Sequence, residues 1–454
     1  MIRECYSDLL KWRNSRKRKP LILMGARQVG KTWLMMEFAK KEYGDDFVLV
    51  NFMRRRSLCH QLKTMDIDPA GLIKLLQTAT GKRIIPGKTL LILDEIQECP
   101  SALTSLKFFY EDMPELAVMA AGSLLGLSYG KAKDSSDEVD DADRGSFPVG
   151  KVDRLNVYPM SFTEFLQADG KGSLIDAVDA GDWKSVEALS GEYELLLKNY
   201  YLVGGMPEAV ADWVETGSLA EVRKTQLRIL SDYDDDFKKH APLDLLPKIR
   251  LIWNSIPAQL AKENEKFSYS NVKHGARARD YETALEWLED AGMIYRLKRV
   301  NPPGLPLLHY MNSGAFKVFM HDLGLLAAMS SLKPSVVLER NELFSHFKGA
   351  LSEQYVLQEL KSENIISGYW SPDDGLSEVD FVVQGDSGVI PVEVKSANNT
   401  KAKSLGVYIN NYQPEFAIKT SLKNFSVSRT VRSLPLYAFS RWIGKWIGIN
   451  RRFI

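Results

Sequence analysis

The sequence predicts an α/β protein: a parallel sheet covered by helices, then a mostly helical region, then a second α/β unit. Three observations carry that prediction. Short apolar runs alternate with helical stretches through residues 21–121, a pattern that makes a parallel sheet covered on both faces. A glycine-bounded loop, Gly25-Ala26-Arg27-Gln28-Val29-Gly30-Lys31-Thr32, lies between the first such run and the first helix. Near the end, Asp380 is followed by Glu393-Val394-Lys395 across a predicted hairpin.

Taken in order, residues 21–24 form the first strand, and an apolar-periodic helix follows from Thr32 to about Lys41. Residues 48–51, 89–93 and 116–121 supply three more strands. The stretch 131–144 changes character: Asp134, Asp137, Glu138, Asp140, Asp141 and Asp143 crowd it with almost no large apolar residue, as in a surface loop. Residues 180–260 read as helical, with Gly204-Gly205 and Pro207 marking a turn. From 267 to 310 the pattern is that of a winged helix. A short helix covers 269–272, an amphipathic helix covers 280–291, and Gly292 supplies its stop. A strand at 294–300, a turn at 301–304 and a return strand at 307–311 complete it. The last segment, 335–454, opens with a long helix and continues as a hairpin.

Composition narrows the function classes. A chain of 454 residues allows about three domains of roughly 150 residues each. With a formal net charge of +1, any nucleic-acid site must be a local patch. Cys5, Cys59 and Cys99 are scattered and odd in number, fitting neither a disulfide framework nor a zinc site. A reducing cytoplasm is therefore expected. The N-terminus lacks a signal peptide's apolar stretch, and no run approaches the ~20 apolar residues of a membrane span, so no membrane partner is expected.

The glycine loop has the chemistry of a phosphate cradle. Gly25 and Gly30 let the backbone curl so that successive N–H groups point at phosphate oxygens. Lys31 brings charge to the β- and γ-phosphates, the Thr32 hydroxyl is placed for Mg²⁺, and the helix entered through Trp33 directs its positive end at the same anion. The apolar run Leu90-Leu91-Ile92-Leu93 delivers Asp94 to the Mg²⁺ shell, and Glu95 is the residue to polarise the attacking water. ATP and Mg²⁺ are thus the expected cofactors. Ser123, at the end of the fourth strand, reads either as a γ-phosphate sensor or as a turn residue. Arg27, Arg144 and Arg154 are candidates for an arginine finger, and each reads equally as a surface charge.

The combination of this loop with Leu93-Asp94-Glu95-Ile96-Gln97 and Ala121-Gly122-Ser123 resembles the bacterial and archaeal AAA-type ATPases that carry an uncharacterised C-terminal region. The resemblance continues through Tyr158-Pro159-Met160-Ser161-Phe162-Thr163-Glu164-Phe165, Tyr201-Leu202-Val203-Gly204-Gly205-Met206-Pro207-Glu208, Asp232-Tyr233-Asp234-Asp235-Asp236 and His321-Asp322-Leu323-Gly324-Leu325. Gly150-Lys151 stands where relatives usually have Gly-Arg, so no catalytic arginine is assigned there. The resemblance implies an ATPase core, a helical lid, a winged helix and a nuclease-like terminal domain. On this sequence those fall at 1–180, 181–260, 261–332 and 333–454.

The terminal carboxylates have a chemistry of their own. Strand periodicity puts Glu393 and Lys395 on one face, with Val392 and Val394 on the other. A two-residue turn centred on Asp386-Ser387 sets Asp380 opposite Glu393, with Val379, Phe381 and Val383 on the far face. Glu353, on the preceding helix, shares a face with Gly349, Val356 and Leu360, an apolar setting that a carboxylate tolerates only with a cation or a partner. Clustered carboxylates hold Mg²⁺ and a lysine positions water for phosphodiester cleavage. The set Glu353, Asp380, Glu393 and Lys395 resembles the PD-(D/E)XK nuclease superfamily, with a restriction-endonuclease-like α/β fold. It serves either cleavage or binding alone.

Two surfaces bear on partners. Lys273, His274, Arg277 and Arg279, with Arg296, Lys298 and Arg299 on the wing strand, suit phosphate contacts or else a packing module. The tail from Arg441 through Trp442, Lys445 and Trp446 to Arg451 and Arg452 suits base stacking or docking as an amphipathic element on the last domain. Two functions remain open at this level. One is an ATPase that drives a nuclease-like domain on DNA or RNA. The other is a nucleotide switch that recruits a protein partner or a second copy of the chain.

Overall fold

The computed structural model describes residues 2–65, 68–122, 147–262, 266–338, 345–396 and 402–447. The acidic stretch 131–144, Ser123, Arg144, Arg451 and Arg452 lie outside the described residues.

Five strands form the first sheet: β1 (Leu21–Met24), β2 (Phe47–Asn51), β3 (Leu90–Asp94), β4 (Ala117–Ala121) and β5 (Asp153–Asn156), in the order β2-β3-β4-β1-β5. Every pairing is parallel. β3 and β4 are buried along their whole length, as strands covered on both faces must be. β5 was not legible in the sequence. It is only four residues long, and just Leu155 on it is buried.

The middle of the chain is helical. A 22-residue helix, Leu219–His240, starts from a Ser218 cap and carries Lys238, Lys239 and His240 in its last turn. Basic residues there oppose the negative helix end. The helices Tyr269–Val272 and Ala278–Asp290 then precede the hairpin β6 (Ile294–Val300) and β7 (Met311–Met320).

Two expectations change here. The return strand begins at Met311, not at 307: residues Leu307–Tyr310 are a 3₁₀ turn. Three prolines (Pro302, Pro303, Pro306) deny N–H groups to a ladder in this stretch, and Leu307 N–H is donated instead to Gln384 Oε1 at 2.8 Å. Nor does the hairpin stand free as a wing. β6 pairs in parallel with β8 (Ser367–Trp370), across the expected 332/333 boundary.

One sheet of eight strands results, ordered β12-β13-β11-β10-β9-β8-β6-β7. Its remaining members are β9 (Val379–Gln384), β10 (Val389–Val394), β11 (Ala417–Ser421), β12 (Ser426–Ser428) and β13 (Val431–Pro435). The helix Ser345–Ser362, called here the central helix, precedes β8, and the helix Lys403–Tyr412 carries the chain from β10 to a parallel β11. Phe381 and Val383 pack in the main core with Val392 and Val394. Val379 instead joins Trp370 and Val382 in a separate cluster, next to a register irregularity between Gly368 and Trp370.

The tail reaches back from the last strands to the N-terminal part of the chain. In the helix Phe439–Trp446, Arg441 pairs with Glu4 at 2.8 Å and with Asp179, and Trp442 Nε1 donates to Val178 O at 2.9 Å. Trp442 also packs on Trp183, Phe425 and Trp446. This tail helix therefore seals N-terminal helices against the second sheet.

Candidate functional site

The glycine loop leaves β1 and enters the helix Lys31–Tyr43 through left-handed backbone. Gly25 has φ +147° and Gly30 φ +91°. A Cβ on Gly25 would stand 2.2 Å from Val157 O, so no other residue fits there. Gln28 also has positive φ, at +65°, and its side chain is held in place by Asp232. Val29 is buried, whereas Trp33 is 42 % exposed.

Lys31 folds back over the loop. Its ammonium donates to Gly25 O at 2.9 Å and Ala26 O at 2.7 Å. Burial lowers its pKa to about 8, against the pull of Glu95 and Asp94. Thr32 Oγ1 donates to Asp94 Oδ1 at 3.1 Å, and Asn51 Nδ2 donates to Asp94 Oδ2 at 2.9 Å. Burial raises the Asp94 pKa, while those two hydrogen bonds favour its charged form. A hydroxyl and a carboxylate meeting at this distance make a hard-oxygen pair suited to Mg²⁺ shared with substrate phosphates. Glu95 adopts left-handed backbone, φ +52°, and its carboxylate is steadied by Gln97 Nε2 at 2.5 Å. Asn51 carries no signal in the sequence, because only parallel pairing puts it level with Asp94, whereas Gln97 belongs to the motif that contains Asp94 and Glu95.

The motif segments scattered over the middle of the chain converge behind this loop. Arg3, fully buried, donates to Val29 O at 2.9 Å, to Tyr158 O at 2.6 Å and to Glu164 at 3.1 Å. From the helix Leu219–His240, Arg27 is paired by Asp236, Gln28 by Asp232 at 2.8 Å, and the Arg27 carbonyl by the Tyr233 hydroxyl at 2.9 Å. Tyr233 lies 3.2 Å from His321 Nε2, and burial lowers the His321 pKa to about 4. Next to it, Asp322 accepts N–H from Gly205 at 2.6 Å and from Leu325 at 2.8 Å. The central helix closes the cluster: Gln358 receives Leu323 N–H and donates to the Tyr200 hydroxyl, and Glu359 receives Phe162 N–H at 2.9 Å.

The terminal carboxylates gather on the second sheet. The antiparallel register pairs Val392 with Phe381, and its continuation sets Glu393 opposite Asp380. Asp380 Oδ2 accepts Val394 N–H at 2.6 Å, and Lys395 Nζ meets Glu393 Oε1 at 2.6 Å. A second lysine, unforeseen from sequence, joins them. Lys317 of β7 is 2 % exposed and bridges Glu353 at 3.1 Å and Glu378 at 2.9 Å. Burial first, then the charges of Glu353 and Glu393, pushes the Asp380 carboxyl well above its ordinary range. Burial likewise raises Glu393, with Lys395 opposing. In this arrangement Glu353 is paired with Lys317, Glu393 with Lys395, and Asp380 accepts Val394 N–H. No group of three or more acidic, histidine or cysteine side chains that could hold a metal ion occurs among the described residues.

The basic surface is also partly spent. Arg296 pairs with Glu282 and Glu289, Arg299 with Asp373 at 2.6 Å, and Arg279 with Asp280 at 3.8 Å. No described helix is long and apolar enough to cross a membrane.

Comparisons with known proteins bear on the first site through one family match. Residues 194–336 match a domain of unknown function (DUF8612), and residues 348–439 match another (DUF4143). No curated protein matches the chain. Among solved structures, the Walker-type ATPase PABY2304 of Pyrococcus abyssi aligns at 14 % identity and TM-score 0.44, covering 72 % of this chain and 96 % of that one. The Aeropyrum pernix ORC1 protein, solved in complex with DNA, aligns at 13 % identity and TM-score 0.31, covering 73 % and 93 %. Residues 17–166 match the family described as an AAA domain, and with the loop, Thr32 and Asp94 disposed as above, this part of the chain is an AAA-type P-loop ATPase domain.

Proposed function

We propose that the chain hydrolyses ATP and couples that hydrolysis to a nuclease-like terminal domain directed at nucleic acid. In the ATPase half, the loop N–H groups and Lys31 bind the phosphates, while Thr32 and Asp94 would hold Mg²⁺. That ion neutralises charge on the phosphates when bound. Glu95, steadied by Gln97, orients and polarises the attacking water.

The observation that carries the terminal half is the register placing Asp380 opposite Glu393 with Lys395 alongside. Glu393 Oε2 supports it, being buried with no hydrogen-bond partner among the described residues. Such an atom is costly unless a ligand completes it. A second reading, a nucleotide switch with an inert binding domain that recruits a partner, is favoured by the lysines already bridging Glu353, Glu378 and Glu393.

Cleavage and binding assays on varied DNA and RNA, with Mg²⁺ and with or without ATP, separate the two. Under the first reading Asp380→Ala abolishes cleavage and leaves ATP turnover intact, since Glu393 loses the facing carboxylate with which it would share hard Mg²⁺. Lys31→Ala abolishes ATP turnover. Turnover like that of the wild type in Lys31→Ala would sink the ATP site, and the lack of cleavage on every substrate would leave the switch.

A further inference from the structure

The helix Leu219–His240 meets the phosphate loop through one face only. Asp232, Tyr233 and Asp236 are spaced so that all three point the same way. Each takes a different part of the loop: the Gln28 side chain, the Arg27 carbonyl and the Arg27 guanidinium. Asp234 faces elsewhere, to Arg250 at 2.7 Å.

That contact lies on the catalytic side of the site. Asp236 is near enough to Glu95 for each to feel the other's charge, and the Arg27 guanidinium acts in the same way on Lys31. One turn on, Lys239 reaches Glu98 at 3.8 Å. Arg27 therefore lies within electrostatic reach of Lys31, and its partner Asp236 within that of Glu95. The contact is also incomplete. Asp236 Oδ2 and Gln28 Oε1 are both buried without hydrogen-bond partners among the described residues. Unsatisfied buried oxygens raise the energy of the state that holds them.

We propose that this helix is a nucleotide-sensing latch: Asp236 holds Arg27 in the nucleotide-free protein, and the γ-phosphate of ATP draws Arg27 away. This rests on the ATP-site reading above and adds its regulation. A γ-phosphate offers the guanidinium a charge-assisted, two-pronged partner better than one half-satisfied carboxylate. ADP lacks that phosphate and so leaves the latch closed. Release frees the helix face, and with it Tyr233, which touches His321 beside the Asp322 and central-helix network. The nucleotide state thereby reaches the helix that carries Glu353.

Calorimetric titration of the full chain with Mg²⁺ and either ADP or the non-hydrolysable adenylyl imidodiphosphate tests this. Removing the competitor in Asp236→Asn tightens the triphosphate analogue by about tenfold, within the range of common coupling energies, while ADP stays within about twofold. Arg27→Gln brings the analogue's affinity down to that of ADP. In that background Asp236→Asn adds nothing. Equal gains for both nucleotides, a loss for the analogue, or a gain that persists without Arg27 overturns the latch. Should Asp236→Asn not fold, the analogue-to-ADP ratio of Arg27→Gln decides, an unchanged ratio being fatal. Wild type binding neither nucleotide defeats the ATP-site reading itself.

Discussion

Lys31 shows how much one residue's setting adds to its identity. Its lysine chemistry was legible from the motif, but the depressed pKa of about 8 comes from burial, against the pull of Glu95 and Asp94. The sign for binding follows directly. Below that pKa the ammonium is already charged and meets the phosphates at no protonation cost. Above it, binding must first recapture a proton. Nucleotide affinity is therefore expected to be flat on the acid side and to fall about tenfold between about pH 7 and about pH 9. Titration calorimetry across that range in two buffers of different ionisation enthalpy would also detect the proton uptake. An affinity with no pH dependence there would show Lys31 charged throughout. Glu359 has the opposite character. Burial holds its pKa well above 4.5, so the folded state keeps it neutral after the unfolded chain has ionised. Its presence thus costs stability progressively as pH rises above about 4.5. Glu359→Gln should flatten that slope, measured as urea midpoints at several pH values. A slope identical to wild type would assign it to other groups.

At the scale of elements, tight backbone approach is what joins the motif segments. A Cβ on Gly205 would stand 2.1 Å from Met160 O, and one on Gly324 2.3 Å from Val203 O. These turns have no room for a methyl group, which is why Gly204-Gly205 and the Gly324 turn interlock. Gly205→Ala is expected to destabilise the fold by about 3 kcal/mol, since backbone rather than a flexible side chain must move. Denaturant unfolding checks it, and a midpoint unchanged from wild type would mean that the two segments separate freely. The sequence marked Gly204-Gly205 as a turn but carried no sign of its partner. The contact spans 45 positions, from Met160 to Gly205, and is fixed by Met160 N–H donating to Gly205 O and the Tyr200 hydroxyl donating to Met160 O. The expected return strand at 307–311 failed for a related reason. Gln384, from a distant strand, takes up the Leu307 N–H, and Leu307–Tyr310 turns as a 3₁₀ helix before the ladder begins at Met311.

Across the whole molecule, the two ends of the chain are tied together. Arg441 bridges Glu4 and Asp179, and Trp442 sits among Trp183, Phe425 and Trp446. Trp442→Ala is expected to cost about 2 kcal/mol, below the full cost of a buried tryptophan because the ring is only partly covered. It should also expose the helix Phe439–Trp446 to protease before the rest unfolds. Simultaneous loss of both in one transition would instead make the tail integral to the core.

Local sequence determined the parallel sheet, the phosphate loop with Thr32 and Asp94, and the hairpin that sets Asp380 opposite Glu393. Those features left local marks: apolar runs alternating with helical stretches, a glycine-bounded loop before a helix, and the two-residue period of strands across a short turn. Only the tertiary structure decided what surrounds them. Lys317 arrives from β7 to neutralise Glu353 and Glu378, Asp236 crosses 209 positions to hold Arg27, and β6 joins β8 to merge two expected units into one sheet. A buried charge must find its counterion wherever packing brings one near, and no local pattern records which distant residue that will be.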